Sequence, residues 1–234
     1  MKPIISCVVP TRNRGNLIGE TIKSIINQTM TEWELIVVDD HSEKDDKTEE
    51  VVRSFDNQRI HYYRLEDDNG LGISAARNFG NEVSSGQYIA VMDSDDIAYP
   101  DRFELSLKTL EREKCDLVYG DIDIWDPIDN SLAKREEEFS SRKFDLDQFK
   151  KDNFVPHVTV FAKRQLFLDF PYNSFFRIAE DYDFLSRLAS FEYIFSYINK
   201  PLVKVRVHEN KIMRSGSFKY EYGNIVKKNR GWTE

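Results

Sequence analysis

The chain has 234 residues, of which 40% are hydrophobic, 13% aromatic and 32% charged, with a formal net charge of −8. That apolar content excludes global disorder, and the acidic balance excludes a general nucleic-acid binder. No stretch reaches the roughly 18 uninterrupted apolar residues of a membrane span, and the N-terminal MKPIISCVVPTRNR turns polar too early for a secretory signal.

The first half alternates strand-like and helix-like segments. Residues 4–9 form a short β-branched apolar run, and Leu17, Ile18, Ile22, Ile25 and Ile26 then recur at the spacing of one helix face. An apolar run at 35–38, an acidic helical segment at 44–55 and a more polar strand at 60–65 follow. A helix at 72–84, a buried strand at 88–92, a helix at 100–112 and a strand at 117–124 complete the series. Repeated βα units predict an α/β fold with a largely parallel sheet, its first two strands buried on both faces. Residues 126–153 are charged and aperiodic, with a short helix near 143–150. A strand at 154–161, a helix from Glu180 and two short strands at 194–198 and 202–207 are predicted next. Without a repeat or linker, the expected organisation is one domain over 1–210, its halves meeting near 125, with a basic extension at 211–234. The single cysteines Cys7 and Cys115 lie in apolar runs, which predicts neither a disulfide framework nor a zinc knuckle and suits a reducing, cytosolic setting.

In an open parallel sheet, ligands gather beyond the carboxyl ends of the strands. Three polar clusters follow apolar strands here: Pro10-Thr11-Arg12-Asn13-Arg14, Asp39-Asp40-His41-Ser42 and Asp93-Ser94-Asp95-Asp96. Two carboxylates one residue apart, on a turn after a buried strand, suit an oxygen-ligated Mg²⁺ or Mn²⁺ that in turn binds a diphosphate. The run Gly70-Leu71-Gly72-Ile73-Ser74-Ala75 matches a dinucleotide fingerprint. It follows a polar strand and the acids Glu66, Asp67 and Asp68, which would repel a pyrophosphate, so that reading is rejected. Asp121 and Asp123 share a strand face and are candidates for an acceptor pocket or for a solvated face.

Together these motifs, with Ala75-Ala76-Arg77-Asn78, Ala179-Glu180-Asp181-Tyr182-Asp183-Phe184 and Val205-Arg206-Val207-His208, closely resemble the glycosyltransferase family 2 signature over about residues 4–210. The resemblance implies a GT-A fold, in which a nucleotide-sugar-binding sheet precedes a C-terminal acceptor portion. It also implies inverting transfer from a nucleotide-diphospho-sugar, UDP-sugars favoured, to a saccharide or lipid-linked acceptor. Carried over by motif, Pro10, Thr11 and Asn13 line the nucleotide pocket, Asp40 bonds the base and Arg77 lies near the phosphates. Asp93 and Ser94 approach the ribose or sugar, and Asp95 with Asp93 holds Mn²⁺ or Mg²⁺. Asp181 matches the catalytic base, Glu180 stands beside it on the substrate, and His208 contacts metal or diphosphate or is a surface loop histidine. Spacing alone leaves open which of Glu180, Asp181 and Asp183 faces the acceptor.

Two other functions fit parts of this pattern. A sugar-1-phosphate nucleotidyltransferase would need more glycine after the first strand than Gly15 supplies, and a non-catalytic nucleotide-sugar-binding module would have no use for both Asp95 and Asp181. Residues 200–234 hold nine Lys/Arg against three acids. Of these, the segment 208–214 is a candidate lid over the diphosphate. Lys219, Lys227, Lys228 and Arg230 form a patch suited to peripheral contact with anionic lipid at the inner membrane face, to a lipid-diphosphate acceptor, or to plain solvation.

Overall fold

The computed structural model describes residues 2–66, 70–134, 142–176, 178–208 and 216–232. Strands β1 (Ile5–Thr11) and β2 (Trp33–Asp39) are buried at every position, as their continuous apolar runs require. They alternate with α1 (Ile18–Ile26) and α2 (Thr48–Arg53), followed by the half-buried strand β3 (Ile60–Arg64), then α3 (Ile73–Val83) and β4 (Tyr88–Val91). The rest comprises β5 (Ile97–Ala98), α4 (Arg102–Glu113), β6 (Leu117–Asp126), β7 (Ser131–Lys134), α5 (Leu146–Lys151), β8 (Phe161–Lys163), α6 (Arg164–Asp169), α7 (Glu180–Ser190), β9 (Phe195–Arg206) and α8 (Gly216–Asn229).

Among the described residues one sheet runs β3-β2-β1-β4-β8-β6-β9-β5, with β7 folded back onto β6. The first four strands are parallel, as expected. Beyond β4 the sheet is mixed: β8 runs antiparallel to both β4 and β6, β9 is parallel to β6, and β5 is antiparallel to β9. Because β8 lies between β4 and β6, strands from both halves of the chain share one sheet.

Side chains alternate across that sheet with the period of two that a strand imposes. Ile5, Cys7 and Val9 of β1 pack against α1 (Ile18, Ile22, Ile25) and Phe103 of α4. Val8 faces the other way, into a cluster with Val38, Ala76 of α3 and Phe184 and Leu185 of α7. Gly80 lets α3 sit close on this face, since a Cβ there would lie 2.5 Å from Val8 Cγ1.

Three expectations change. The segment 154–161 is buried but mostly not a strand; Pro156 lacks the N–H a ladder needs, and a 3₁₀ turn (His157–Thr159) follows it. The two strands expected at 194–198 and 202–207 are one, β9, which bulges around Pro201 so that Gly120, Asp121 and Ile122 of β6 face Ile198, Pro201 and Val203. The aperiodic stretch after 125 begins with a hairpin, β7 pairing with residues 123–126 of β6.

Candidate active site

The carboxyl ends of β1, β2 and β4 meet the start of α7 around a cavity of about 490 Å³. Pro10, Thr11, Asp40, Arg77, Asp93, Ser94, Asp95, Glu180 and Asp181 all line it, as expected from the sequence. Asp40 Oδ1 accepts the Leu71 N–H at 2.6 Å and Oδ2 the Gly72 N–H at 2.9 Å, so this carboxylate also holds the loop that opens α3. Gly70 passes so close, at φ +73°, that a Cβ would lie 2.1 Å from Arg12 Nη1. Asn13 does not line the cavity. In a left-handed conformation (φ 53°), it joins the first two loops: its N–H donates to Ser42 Oγ at 2.8 Å and its Oδ1 accepts the Glu43 N–H at 2.8 Å. Its neighbours Arg12 and Arg14 take the cavity-lining positions, with Arg12 Nη1 4.0 Å from Asp40 and Arg14 Nε 3.8 Å from Asp95.

Arg77 is a deeply buried cation in the wall, its side chain 4% exposed. One terminal nitrogen donates to Glu180 Oε1 at 2.6 Å and the other to Asp93 Oδ1 at 3.0 Å. Arg77 therefore bridges the β4 loop to the α7 N-terminus, with a carboxylate on each of its terminal nitrogens. Burial pushes the Glu180 carboxyl up; the guanidinium pulls it back and neighbouring Asp181 pushes it further up. Beneath the same loop, fully buried Arg102 donates to the Val158 carbonyl at 2.7 Å and to Met92 Sδ at 3.1 Å. Burial lowers its pKa to about 10, opposed by Cys7, Asp93 and Asp96.

The other side of the loop is tied to the end of β9. Asp96 Oδ1 accepts the Arg206 N–H at 2.9 Å, the Asp95 carbonyl accepts Arg206 Nε at 3.0 Å, and Arg206 also pairs with Glu20. His208, just past β9, places Nε2 2.8 Å from Asp95 Oδ2. The two aspartates are hard oxygen donors, the chemistry a magnesium- or manganese-type ion takes, whereas the His208 imidazole is a borderline nitrogen donor. No group of three or more His, Cys, Asp and Glu is assembled as a metal site among the described residues. Magnesium sites commonly use one or two carboxylates and draw their remaining ligands from substrate phosphates and water, so Asp93 and Asp95 fit such an ion.

The three acids that open α7 have different surroundings. Glu180 is bound to Arg77. Asp183 points away from the cavity, with Arg187 Nε at 2.9 Å and Arg230 Nη2 at 3.2 Å. Asp181 lines the cavity, and its Oδ2 accepts from the neutral amide of Asn153 at 3.2 Å. Ala179, just before the helix, adopts φ 67°, a left-handed turn that aims this first turn at the cavity.

The family model described as Glycosyl transferase family 2 matches residues 6–168. The chain belongs to glycosyltransferase family 2. It is 31% identical over 212 residues to an uncharacterized glycosyltransferase of Methanocaldococcus jannaschii, covering 88% of this chain and 71% of that one. It is 32% identical over 121 residues to the UDP-Glc:alpha-D-GlcNAc-diphosphoundecaprenol beta-1,3-glucosyltransferase WfgD of Escherichia coli, covering 52% of this chain and 46% of that one. The fold matches S. aureus TarS in complex with UDP-GlcNAc at a TM-score of 0.75 and 21% identity, over 97% of this chain and 65% of the TarS chain. The fold is thus that of the GT-A enzymes, and the chain spans about half to 71% of the length of these proteins.

Within this family 2 glycosyltransferase, Asp121 and Asp123 are on the face away from the cavity, which Ile122 lines instead, and Asp123 accepts from Tyr99. The basic tail is partly engaged in packing: Arg230 meets Asp183, Lys227 donates to the Lys151 carbonyl, and Lys228 is exposed. Residues 209–214 of the expected lid lie outside the described residues, as do the side-chain surroundings of Lys219. No helix among the described residues is long and apolar enough to cross a membrane. The sequence reading passed over Asn153 and Arg14 as site residues. Arg14 sits inside a motif already noted; Asn153 closes an aperiodic stretch and carries no local signal.

Proposed function

We propose that this chain is an inverting glycosyltransferase that moves a sugar from a nucleoside-diphospho-sugar to an acceptor hydroxyl, with Asp181 as the general base. The observation that carries this reading is the contrast within α7: Glu180 and Asp183 are each bound to arginine, whereas Asp181 faces the cavity beside a neutral amide. A carboxylate so placed takes the proton of an acceptor hydroxyl as its oxygen attacks the anomeric carbon. The bond from that carbon to the diphosphate breaks on the opposite face, and configuration inverts. The positive end of the α7 dipole favours the ionised form of Asp181. Arg12 and Arg14 present cations to an anionic donor, and the Asp40 carboxylate offers lone pairs to an N–H on a nucleobase.

Asp93 and Asp95 would hold a divalent cation, with His208 beside them; such an ion stabilises the charge developing on the departing diphosphate. A UDP-sugar is the donor we assign, supported by the donors named for WfgD and in the TarS complex. The acceptor class is a saccharide or lipid-linked sugar, as in polysaccharide or glycoconjugate synthesis, and we assign the work to the cytoplasmic side of the membrane. The test is release of nucleoside diphosphate from UDP-, GDP- and dTDP-sugars with Mn²⁺ and a panel of acceptors. Acceptor-dependent release of UDP is expected, with Asp181→Asn lowering kcat by about 10²–10⁴-fold, the range of general-base catalysis, at similar donor KM. Undiminished turnover by that variant would sink the reading.

A further inference from the structure

We propose that Asn153 is the positioning residue of the Asp181 base, an inference that rests on the role given to Asp181 above. Asn153 stands two residues beyond α5, is 7% exposed and lines the cavity. Its Oδ1 accepts the Val155 N–H at 3.2 Å, which fixes which end of the amide is oxygen. The NH₂ end is thereby turned toward Asp181 and donates to Oδ2 at 3.2 Å. The other oxygen of Asp181 accepts the N–H of Tyr182 at 2.8 Å. Both carboxylate oxygens are held by N–H donors, and each keeps lone-pair capacity for an acceptor hydroxyl.

The chemical identity of the partner matters. An arginine, as at Glu180 and Asp183, would neutralise the carboxylate and weaken it as a base, whereas an apolar residue would leave it free to rotate and poorly solvated. An amide orients the carboxylate and stabilises its charge without cancelling it. Among the described residues, the titratable groups on which Asp181 acts electrostatically are Glu180 on its own helix, itself bound to Arg77, and Tyr172 on the segment before that helix.

The experiment compares Asn153→Asp and Asn153→Ala with wild type, and includes Asp181→Asn. Asn153→Asp keeps the acceptor for the Val155 N–H but replaces the donor to Asp181 with a second buried carboxylate, so its melting temperature should fall at neutral pH and recover on acidification, as protonation relieves the repulsion. Its kcat should fall about tenfold or more at neutral pH with donor KM unchanged. A second carboxylate beside the base should also move the acid limb of the kcat profile up by about one pH unit. Asn153→Ala should lower kcat with a smaller upward shift. An unchanged kcat, or a lower kcat with an unmoved acid limb in both variants, overturns the proposal, the second pattern being that of a packing defect. If Asp181→Asn transfers sugar at the wild-type rate, the base assignment itself falls. If Asp181→Asn is inactive and the Asn153 variants are silent, the proposal alone falls.

Discussion

Arg77 connects the two carboxylates that define opposite sides of the cavity, and its planar fork is what allows one side chain to reach both Glu180 and Asp93. A lysine there keeps the charge but presents a single ammonium. Arg77→Lys should therefore fold, with kcat for nucleoside diphosphate release lowered about tenfold as one of the two loops loses its anchor. Arg77→Ala leaves two carboxylates in the wall without their cation, a loss of about 3–5 kcal/mol in urea unfolding. At this scale much was legible. Asp40, Asp93, Asp95 and Asp181 stand where their motifs put them, because the end of a strand or the start of a helix fixes a side chain locally. The tie that Asn13 makes between two loops and the two carboxylate partners of Arg77 were not, because a long or amide side chain chooses among partners that only distant segments supply. The same holds for Asn153, whose partner is 28 positions away.

At the level of elements, α3 must lie close to β1 for Arg77 to reach the β4 loop. Gly80 provides that closeness. Replacing it with alanine gains about 1 kcal/mol of helix propensity, yet the new methyl falls 2.5 Å from Val8 Cγ1. Valine is stiff at χ1 and this one sits in a fully buried strand, so it cannot turn away. Overpacking of this kind costs about 1–3 kcal/mol. Gly80→Ala should accordingly lower the melting temperature while leaving the kcat of the folded enzyme near wild type. Periodicity found the helices and buried strands of the first half because each has one apolar face or none exposed. It misjudged residues 154–161, where burial is that of a cavity wall and not of a strand, and Pro156 excludes a ladder. It also split β9 at Asn199-Lys200-Pro201, two polar residues and a proline that a bulge carries through the sheet.

For the molecule as a whole, stability and site chemistry share buried groups. His157 is buried in the cavity wall and its Nε2 lies 2.8 Å from the Tyr172 hydroxyl. Burial, and then Arg77, hold its pKa well below the ordinary imidazole value. The folded protein keeps this ring neutral, while the unfolded chain takes up a proton below about pH 6.5. The contribution is therefore fully present above about pH 6.5 and is lost as pH falls toward the folded value, with a slope of at most about 1.4 kcal/mol per pH unit. Glu180, shifted upward by burial, acts in the opposite sense, its contribution present at low pH and lost as pH rises. Comparison with His157→Gln separates the two. Between pH 7 and pH 5.5, wild type should lose about 1 kcal/mol relative to that variant in chemical unfolding.

The sequence by itself determined the alternation of strands and helices in the first half, the family, and the set of strand-end motifs from which the cavity is built. These are local properties: an apolar period, a turn, or a short motif needs only neighbouring residues to be read. The tertiary structure decided how the β8–β6–β9–β5 part joins the parallel strands, because strand order beyond the first crossover depends on which edges meet. It also decided the division of labour among the three acids of α7. Glu180, Asp181 and Asp183 are alike in sequence, and their partners, Arg77, Asn153, and Arg187 with Arg230, arrive from helices and loops up to 103 positions away. Burial and the charge of the partner set what a carboxylate can do, and both are products of the fold. The body's excess negative charge accordingly has two uses here: some of its acids line a cavity, while others hold the elements that shape it.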